Sequence, residues 1–295
     1  MTAMRALSLD RQPSPETLHR ELIAFGRRRL TPALPSADWR REVAEEPRLK
    51  LLEGAYLEGE RAAAAPWLAD LPDDPDAFIA WYEGLRERGP GQGDPLFPWL
   101  AGHADRAAMD WFIGQEAAGE AGFEDLLALT QLRLPVRAKL EMARNFWDEM
   151  GRGDRRGMHG PMLDRLVTAL GLVPRPETTV WQSLALANLM AGLALNRRYA
   201  WQSVGALGVI ELTAPGRVAL VARGLRRLGV AADLRRYFDL HAVLDLRHAA
   251  EWNREIIRPL VEADPALMRP IAEGAIMRLA AGARCFERYR EELGA

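Results

Sequence analysis

The sequence predicts an all-α protein built as a helix bundle. Leucine, alanine, arginine and glutamate dominate the 295 residues, and these residue types favour helix. Alternating patterns of β-branched residues, which would indicate strands, are almost absent. Prolines and glycines concentrate between the apolar-periodic segments, where they end helices or form turns. Together these three observations predict helices joined by short loops.

The apolar periodicity places the helices along the whole chain. They are expected over residues 15–30, 37–63, 75–87, 103–131, 134–150, 160–171, 177–213, 215–228, 231–261 and 265–292. We divide them into two parts. Residues 1–100 form an N-terminal helical extension that packs on the bundle and carries no recognisable chemistry, and residues 101–295 form the metal-binding bundle itself.

Composition argues against several classes of function. The formal net charge is -2 with both signs mixed throughout, so neither nucleic acid nor an anionic membrane is an expected partner. A single cysteine, Cys285, excludes an intramolecular disulfide and a thiolate-rich metal site. No signal sequence and no run of about 18 apolar residues is recognised. We therefore expect a cytoplasmic protein.

One face of the predicted helix 231–261 carries a chelating set of side chains. His241, Asp245 and His248 stand at i, i+4 and i+7, so all three project from the same face. Two imidazoles and a carboxylate on one stripe can chelate iron, manganese or zinc, and carboxylate-bridged bundles use the spacing of the last two. A mixed polar face with ordinary hydrogen-bonded histidines explains the triplet equally well.

A second candidate pair stands at a helix–loop–helix corner. Glu149 closes one predicted helix, and His159 follows a glycine-rich loop and opens the next. Ligands at the ends of two rigid elements can converge on one metal ion. Alternatively, Glu149 caps its helix or pairs with an arginine, and Asp154 with the glycines is turn chemistry alone.

Two further carboxylates follow apolar runs. Glu211 comes directly after residues 204–210, a run expected to be buried, and a lone buried carboxylate is costly unless a cation balances it. Glu116 follows the similarly apolar residues 111–115 and is favoured over Glu120, which stands one turn later. These positions predict two more ligands that face the interior.

Taken in chain order, these residues resemble the ligand pattern of the haem-oxygenase-like di-iron oxidases, a family of iron-containing redox enzymes. Residues 143–151 and 237–241 are similar to the most recognisable segments of that family, and the resemblance covers residues 100–262. It implies a haem-oxygenase-like bundle of about seven core helices that holds two Fe(II) ions. The implied ligand set is Glu116, Glu149, His159, Glu211, His241, Asp245 and His248.

The resemblance also implies an activity. Mixed carboxylate and imidazole ligation suits Fe(II) and leaves positions open for O2. The implied enzyme is an iron-dependent oxidoreductase that uses O2 to oxidise a small amine- or carboxylate-bearing substrate. N-oxygenation, oxidative decarboxylation and C–C cleavage are equally compatible with the sequence, as is an external electron donor.

Arginines and aromatic residues near these segments are candidates for substrate contact, because guanidinium forks receive carboxylates and rings wall cavities. Each of them, taken singly, is more often structural. The candidates are Arg144, Trp147, Arg198 and Tyr237, followed by Arg197, Trp181, Trp201 and Phe238. His19 and His103 lie outside the pattern, and we expect both on the surface.

Other interpretations stay open at this point. The same fold houses haem-degrading and cofactor-free oxidases, but haem needs a proximal histidine on an early helix, and the neighbours of His19 look solvated. A non-catalytic helical interaction module, whose histidines and glutamates are incidental, belongs to a different class. A homodimer is the base-rate expectation for a bundle of this size.

Overall fold

The computed structural model describes residues 13–119 and 122–295, and these residues fold into α-helices without a β-strand. The first five helices are α1 (Pro15–Leu30), α2 (Trp39–Ala64), α3 (Pro75–Glu83), α4 (Leu85–Arg88) and α5 (Leu96–Gly102). The others are α6 (Arg106–Gly119), α7 (Phe123–Thr130), α8 (Val136–Glu149), α9 (His159–Ala169), α10 (Trp181–Leu195), α11 (Ala200–Arg227), α12 (Arg236–Trp252), α13 (Arg258–Ala263) and α14 (Met268–Leu293). The all-α prediction is confirmed.

Helix α11 forms the centre of the bundle. It packs against α5, α12 and α14, and its residues Val204 and Leu207 are fully buried. Each such side chain contributes about 1.5–3 kcal/mol through burial. Helices α2 and α3 reach the same core, where the Tyr82 hydroxyl donates to the carbonyl of Gly205 at 2.8 Å. Helices α2 and α3, which precede residue 100, therefore share the core of the bundle, and the division at residue 100 stays a prediction.

The predicted break at Pro215 is wrong, because α11 runs through this proline. Pro215 has no N–H, so the carbonyl of Glu211 loses its helical partner, at a typical cost of about 3 kcal/mol. The neighbouring carbonyl of Leu212 gains a hydrogen bond from Arg86 Nε at 3.3 Å. Burial of this helix among its neighbours outweighs the local cost of the proline.

The segment predicted as one helix over 177–213 instead breaks at Asn196. Its side-chain amide donates to the carbonyl of Gly192 at 2.7 Å and to Glu53 at 2.8 Å. Asparagine that bonds the backbone in this way competes with the helical ladder. The structure thus places the break at a polar side chain, whereas the sequence pattern favoured the proline.

The predicted helix 103–131 is divided into α6 and α7. Helix α7 begins after Gly122, whose φ of 70° lies in the left-handed region that glycine adopts without strain. This turn changes which residues of the segment face the interior. Two smaller differences are α5, which forms at the end of a stretch expected to be a loop, and a π-helical turn at Asn253–Ile257 that follows α12.

Within the described ranges, one helical stretch, Arg197–Arg227, is long and apolar enough to cross a membrane. The sequence analysis expected no such run. In the structure, 61% of its apolar window is buried inside the bundle, as in the central helix of a soluble protein. Its apolar character is therefore explained by its position in the core.

Helices α11 and α14 approach one another backbone to backbone. A Cβ atom at Gly205 would overlap the carbonyl oxygen of Ile271, and a Cβ at Gly274 would overlap that of Gln202. No flexible side chain can move aside at either place, because the obstructing atoms belong to the backbone. The two glycines therefore set the spacing of these helices.

Replacing Gly274 by alanine should lower the free energy of unfolding by at least about 1–3 kcal/mol, the usual cost of overpacking a core. Gly59, in α2, provides the matched control, since a Cβ there meets nothing within 4 Å. Gly59→Ala should be neutral or stabilising by about 0.5–1 kcal/mol. Urea denaturation of both variants measures the difference, and equal stabilities would contradict the close approach.

Candidate metal centre

A cavity of about 140 Å³ lies between α7, α8, α9, α10, α11, α12 and α14. Carboxylates and imidazoles line one part of its wall, and apolar side chains line most of the rest. The polar part consists of Glu124, Glu149, His159, Glu211, His241 and Asp245. Five of these six residues come from the ligand set implied by the sequence.

The corner between α8 and α9 brings Glu149 and His159 together. A loop with two left-handed glycines, Gly151 and Gly153, joins the helices, and an isolated bridge between residues 150 and 158 closes it. Glu149 Oε2 and His159 Nδ1 lie 2.6 Å apart, and both side chains are buried. These two atoms are not oriented for a hydrogen bond with each other. His159 Nδ1 has no hydrogen-bond partner among the described residues. Both atoms therefore face a common point that a cation could occupy.

Helix α12 presents its three candidate ligands on one face, as predicted. His241 Nδ1 lies 2.7 Å from the carbonyl of Tyr237, and as the protonated nitrogen it donates there and leaves Nε2 free to coordinate a metal. The ring centroids of His241 and His159 are 4.5 Å apart. Asp245 is buried, and its Oδ1 finds no hydrogen-bond partner in the described part of the chain.

The third group of donors lies where α11 faces α12. Glu211 Oε2 lies 3.4 Å from His248 Nδ1, and Glu211 Oε1 accepts a hydrogen bond of 2.7 Å from Asn145. His248 Nε2 lies 3.2 Å from Asp148, which also pairs with Arg152 at 2.6 Å and with Arg247. Asn145 thus fixes the orientation of Glu211, and Asp148 fixes that of His248.

Two sets of three potential ligand atoms converge in this region. One consists of Glu149, His159 and His241, and the other of Glu149, Glu211 and His248. Within each set, the donor atoms lie within 4.8 Å of one another. Glu149 belongs to both sets, so its carboxylate could contribute a ligand atom to either of them.

The charges of the cluster do not balance without a cation. Burial, followed by the charges of Glu211 and Glu149, raises the pKa of Asp245 to about 10. Burial and Glu211 also raise the pKa of Glu149 well above its usual range. Burial lowers the pKa of His159 and of His241 to about 4. The carboxylates thus favour protonation and these imidazoles favour neutrality.

His248 differs from the other two histidines. Burial acts to lower its pKa, but hydrogen bonding and charge attraction from Glu211 and Asp148 outweigh burial and raise the pKa to about 9. Its imidazolium therefore supplies one internal positive charge. A divalent ion at this position would replace that proton.

The structure does not bring Glu116 to the cluster, contrary to the sequence-based expectation. Its carboxylate accepts a hydrogen bond of 3.1 Å from the Tyr289 hydroxyl. Burial raises the pKa of Glu116, while Tyr289 and the charges of Arg278 and Arg217 lower it. It is absent from the cavity wall because α6 directs it towards α14. Glu120, the competing position, lies outside the described residues.

Glu124 lines the cavity where Glu116 was expected. It stands in the first turn of α7, and a Cβ at Gly160 would lie only 3.1 Å from its Oε1, so its carboxylate rests against the residue that follows His159. Burial raises its pKa. Glu124 does not stand out in the sequence, because acidic residues are common in a first helical turn. The available signal was Gly122, directly before α7.

Of the four leading candidates for substrate contact, Tyr237 lines the cavity, with its ring centroid 4.3 Å from that of His241. The other three leading candidates lie elsewhere, and the four secondary candidates do not line the cavity either. Arg144 is exposed and pairs with Glu141 at 2.6 Å, the ring of Trp147 is 53% exposed, and Arg198 is exposed beside Glu58. Their outward position on the helices prevents contact with the cavity. Arg278, which the sequence analysis did not single out, lines it.

The two remaining histidines lie away from the cavity wall. His103 is exposed, as expected. His19 is buried, and the expectation of a surface position was wrong. Its ring stacks on Trp181 at 5.7 Å and meets Tyr56 edge to face, and burial lowers its pKa to about 4. His19 therefore packs α1 against α10. The sequence does not show this burial, because the aromatic partners of His19 lie far away along the chain.

Replacing Asp245 by asparagine should stabilise the metal-free protein by roughly 1–3 kcal/mol at pH 8, because it removes a buried carboxyl that ionises with difficulty. The pKa of this group is raised to about 10 in the folded state, against about 3.9 when unfolded. The unfolded chain therefore loses the proton first, and wild-type stability falls as pH rises between these values.

Denaturant titrations from pH 5 to pH 8 measure this difference. The stability gap between Asp245→Asn and wild type should widen with pH, whereas the exposed control Asp233→Asn should track wild type. If Asp245→Asn is less stable than wild type at every pH from 5 to 8, the surroundings of Asp245 already compensate its carboxylate and the prediction is wrong.

Comparison with known proteins agrees with this geometry. A family model described as iron-containing redox enzyme matches residues 110–283, more than half of the chain. A nitrosourea synthase from Streptomyces achromogenes subsp. streptozoticus is 26% identical over 244 residues, which are 78% of this chain and 50% of that protein. The chain thus spans about half the length of this curated relative.

Solved structures share the fold. Two crystal structures of a CADD-like protein of unknown function from Nostoc punctiforme match with TM-scores of 0.58 and 0.56, at 20% and 19% identity. They cover 75% and 74% of this chain and 99% and 95% of theirs. The resemblance found in the sequence is confirmed: the chain belongs to the family of iron-containing redox enzymes with the haem-oxygenase-like fold.

Proposed function

We propose that this protein is an oxidase that uses O2 at a centre of two iron ions. The observation that carries the proposal is the shared position of Glu149, which belongs to two converging sets of ligand atoms. A carboxylate common to two sets is the arrangement by which helical bundles hold a pair of ions. A non-catalytic interaction module gives no reason to bury these carboxylates and imidazoles together.

The donor atoms fit Fe(II). Imidazole nitrogen and carboxylate oxygen are the ligands of non-haem iron, whereas a thiolate would favour other metals. Cys285 is buried in an apolar cluster with Phe286 and Tyr289, and it does not line the cavity. The buried atoms His159 Nδ1 and Asp245 Oδ1, which have no hydrogen-bond partner in the described part of the chain, are positions that a metal would satisfy.

We assign one ion to Glu149, His159 and His241, and the other to Glu149, Glu211 and His248. Asp245 stands on the cavity wall beside both sets. We further propose that Glu124 supplies the remaining carboxylate, in place of Glu116. Its position against Gly160, next to His159, supports this assignment.

Bound Fe(II) would supply the electrons that activate O2 for oxidation of a substrate amine or C–H bond. The residues of the chain fix the ligands and exclude water. The carbonyl of Tyr237 sets the tautomer of His241, and Asn145 holds one oxygen of Glu211. The apolar wall, with Leu163, Met190 and others, keeps the cavity dry.

We propose a small amine- or carboxylate-bearing substrate. The cavity of about 140 Å³ supports a small ligand, and Tyr237 would contact it beside His241. The similarity to a nitrosourea synthase favours a nitrogen-containing group as the site of oxidation. Repeated turnover would draw electrons from an external donor.

Anaerobic titration with Fe(II) should load the wild-type protein with about two ions per chain. Glu149→Ala should lose both, because its carboxylate is common to the two sets. His241→Ala and His248→Ala should each retain about one ion, since each histidine belongs to a different set. Two ions bound to Glu149→Ala would refute the shared position.

The same titration distinguishes Glu124 from Glu116 as the source of the remaining carboxylate. Glu124→Gln should weaken iron binding at least about tenfold, the lower range for loss of a group that supports a metal. Glu116→Gln is the matched control and should bind iron as wild type does, because its carboxylate lies away from the cavity wall. The opposite order would restore the assignment made from the sequence.

Iron-loaded wild-type protein should consume O2 in an oxygen-electrode assay, and protein loaded with Zn(II), which has no redox chemistry, should not. His241→Ala and His248→Ala should each lose most of the rate, because each leaves one set of ligands incomplete. Wild-type rates in either variant would contradict a centre that needs both ions.

A further inference from the structure

Helix α8 carries exposed apolar side chains on the side that faces away from the candidate metal centre. Val136, Leu140 and Trp147 are each more than half exposed. Together with the exposed Arg144 they occupy positions i, i+4, i+8 and i+11, so the four side chains form one stripe along the helix. Arg144 and Trp147 were expected to contact substrate, and the structure turns both of them to solvent instead.

Positive charge accompanies this stripe. Between residues 132 and 156, every arginine and lysine is exposed, whereas Asp154 is the one exposed residue among the four acidic ones. The seven cationic residues are Arg133, Arg137, Lys139, Arg144, Arg152, Arg155 and Arg156. The whole chain has a formal net charge of -2, so the positive charge here is a local concentration on one surface.

The ion pairs of this surface leave their positive partner in solvent. The side chain of Arg144 is 69% exposed and that of its partner Glu141 only 6%, while Arg152 is 63% exposed and its partner Asp148 only 10%. The carboxylates thus lie beneath the guanidinium groups, and an approaching molecule meets the cations first. The pairing also restricts the arginine side chains, which reduces the conformational entropy that binding would cost.

The stripe lies on the outer side of a helix that carries a candidate ligand. Trp147 and Glu149 are two positions apart, which separates them by about 200° around the helix axis, so Trp147 faces solvent and Glu149 faces the cavity. The surface therefore lies roughly one helix diameter, about 10–12 Å, from the candidate ligand. A Cβ at Gly153 would lie 3.1 Å from the Trp147 ring, so the loop that leads to His159 borders the stripe as well.

We propose that this α8 surface, formed by the stripe and by loop residues 151–157, is the docking site of a small acidic protein that carries single electrons. The inference rests on the proposed function, in which an external donor supplies electrons. At each docking the carrier would lose one electron, and one Fe(III) ion formed during turnover would gain it. Tryptophan and arginine are enriched among the residues that dominate protein interfaces, and fixed positive charge steers an acidic partner.

Other occupants fit this surface less well. A second copy of the chain would bring two cationic surfaces together, because a two-fold interface pairs one patch with itself. A bilayer would have to take up Arg144, which stands on the apolar stripe, together with Leu140 and Trp147. Nucleic acid binds through more polar interfaces, and the apolar side chains of the stripe offer it no matching surface.

Isothermal titration calorimetry with metal-free and Zn(II)-loaded protein tests the docking site without turnover, since Zn(II) has no redox chemistry. The probes are a plant-type ferredoxin and a flavodoxin, which are small acidic one-electron carriers. At least one of them should bind the wild-type protein at low salt. Its affinity should fall at least about tenfold between roughly 10 mM and 150 mM salt, because the Debye length shortens from about 30 Å to 8 Å.

Arg155→Glu combined with Arg156→Glu should weaken carrier binding at least about tenfold at low salt. Neither arginine has an ion-pair partner in the described part of the chain, so the replacements break no such contact. The matched control is Arg27→Glu combined with Arg28→Glu, at exposed positions of α1, which packs against α2 and α10. It changes the net charge equally and should bind the carrier as wild type does.

Trp147→Ala should weaken carrier binding at least about tenfold and leave the salt dependence unchanged, because it removes apolar contact and no charge. Trp39→Ala is the matched control, since Trp39 is similarly exposed at the start of α2. Both variants should keep the iron stoichiometry of wild type. Thermal melting shows that each variant is folded.

Lack of salt-dependent binding of both carriers to folded wild-type protein would overturn the proposal, as would wild-type affinity in the Arg155→Glu, Arg156→Glu variant. Anionic phospholipid vesicles or duplex DNA that bind through these residues, while neither carrier does, would also overturn it. Failure of the proposed function has a different signature, namely no stoichiometric iron binding by wild type, and the docking measurement on metal-free protein does not depend on that result.

Discussion

The burial of several acidic groups close together is the constraint on which the rest of this structure depends. Glu149, Glu211 and Asp245 lie within one region of the bundle, together with Glu124 on the cavity wall. Removing an ionised carboxylate from water costs several kcal/mol, and neighbouring carboxylates add repulsion. The raised pKa values of Asp245 and Glu149 express this cost. The surrounding helices must therefore supply enough stability to hold a cluster that opposes folding.

The bundle meets this demand through a large apolar core. Two clusters of buried side chains draw residues from α11, one with Leu207 and Trp252 and the other with Leu225 and Phe112. Helix α11 carries Glu211 between them, so the carboxylate is held by packing on both sides of its own position. The polar partners Asn145 and Asp148 then restrict the orientation of Glu211 and His248. Rigidity of the ligands thus follows from the same burial that makes them costly.

The relative positions of candidate ligands within one rigid element were predictable from the sequence. His241, Asp245 and His248 share a face because helical geometry fixes their spacing, and Glu149 and His159 end and begin adjacent helices. Glu124 was not predictable in this way. The choice between it and Glu116 depends on the turn at Gly122, where the chain leaves one helix and enters another.

The other differences also arise from tertiary contacts. Pro215 stays within a helix because burial outweighs the lost hydrogen bond, and Asn196 ends one through a side chain that also reaches Glu53. Arg278 looks like an ordinary polar position of an amphipathic helix, since nothing local shows that its turn borders a cavity. Periodicity therefore sufficed for the fold class, while the composition of the cavity wall could be read only from the packed structure.

The contact of α11 and α14 through Gly205 and Gly274 has a consequence for the shape of the cavity. Glu211 follows Gly205 by fewer than two helical turns, so its side chain departs from a helix whose separation from α14 is fixed by main-chain atoms. Main-chain contacts cannot yield by a change of rotamer. The width of the cavity between these two helices is consequently insensitive to the side-chain rotamers around it.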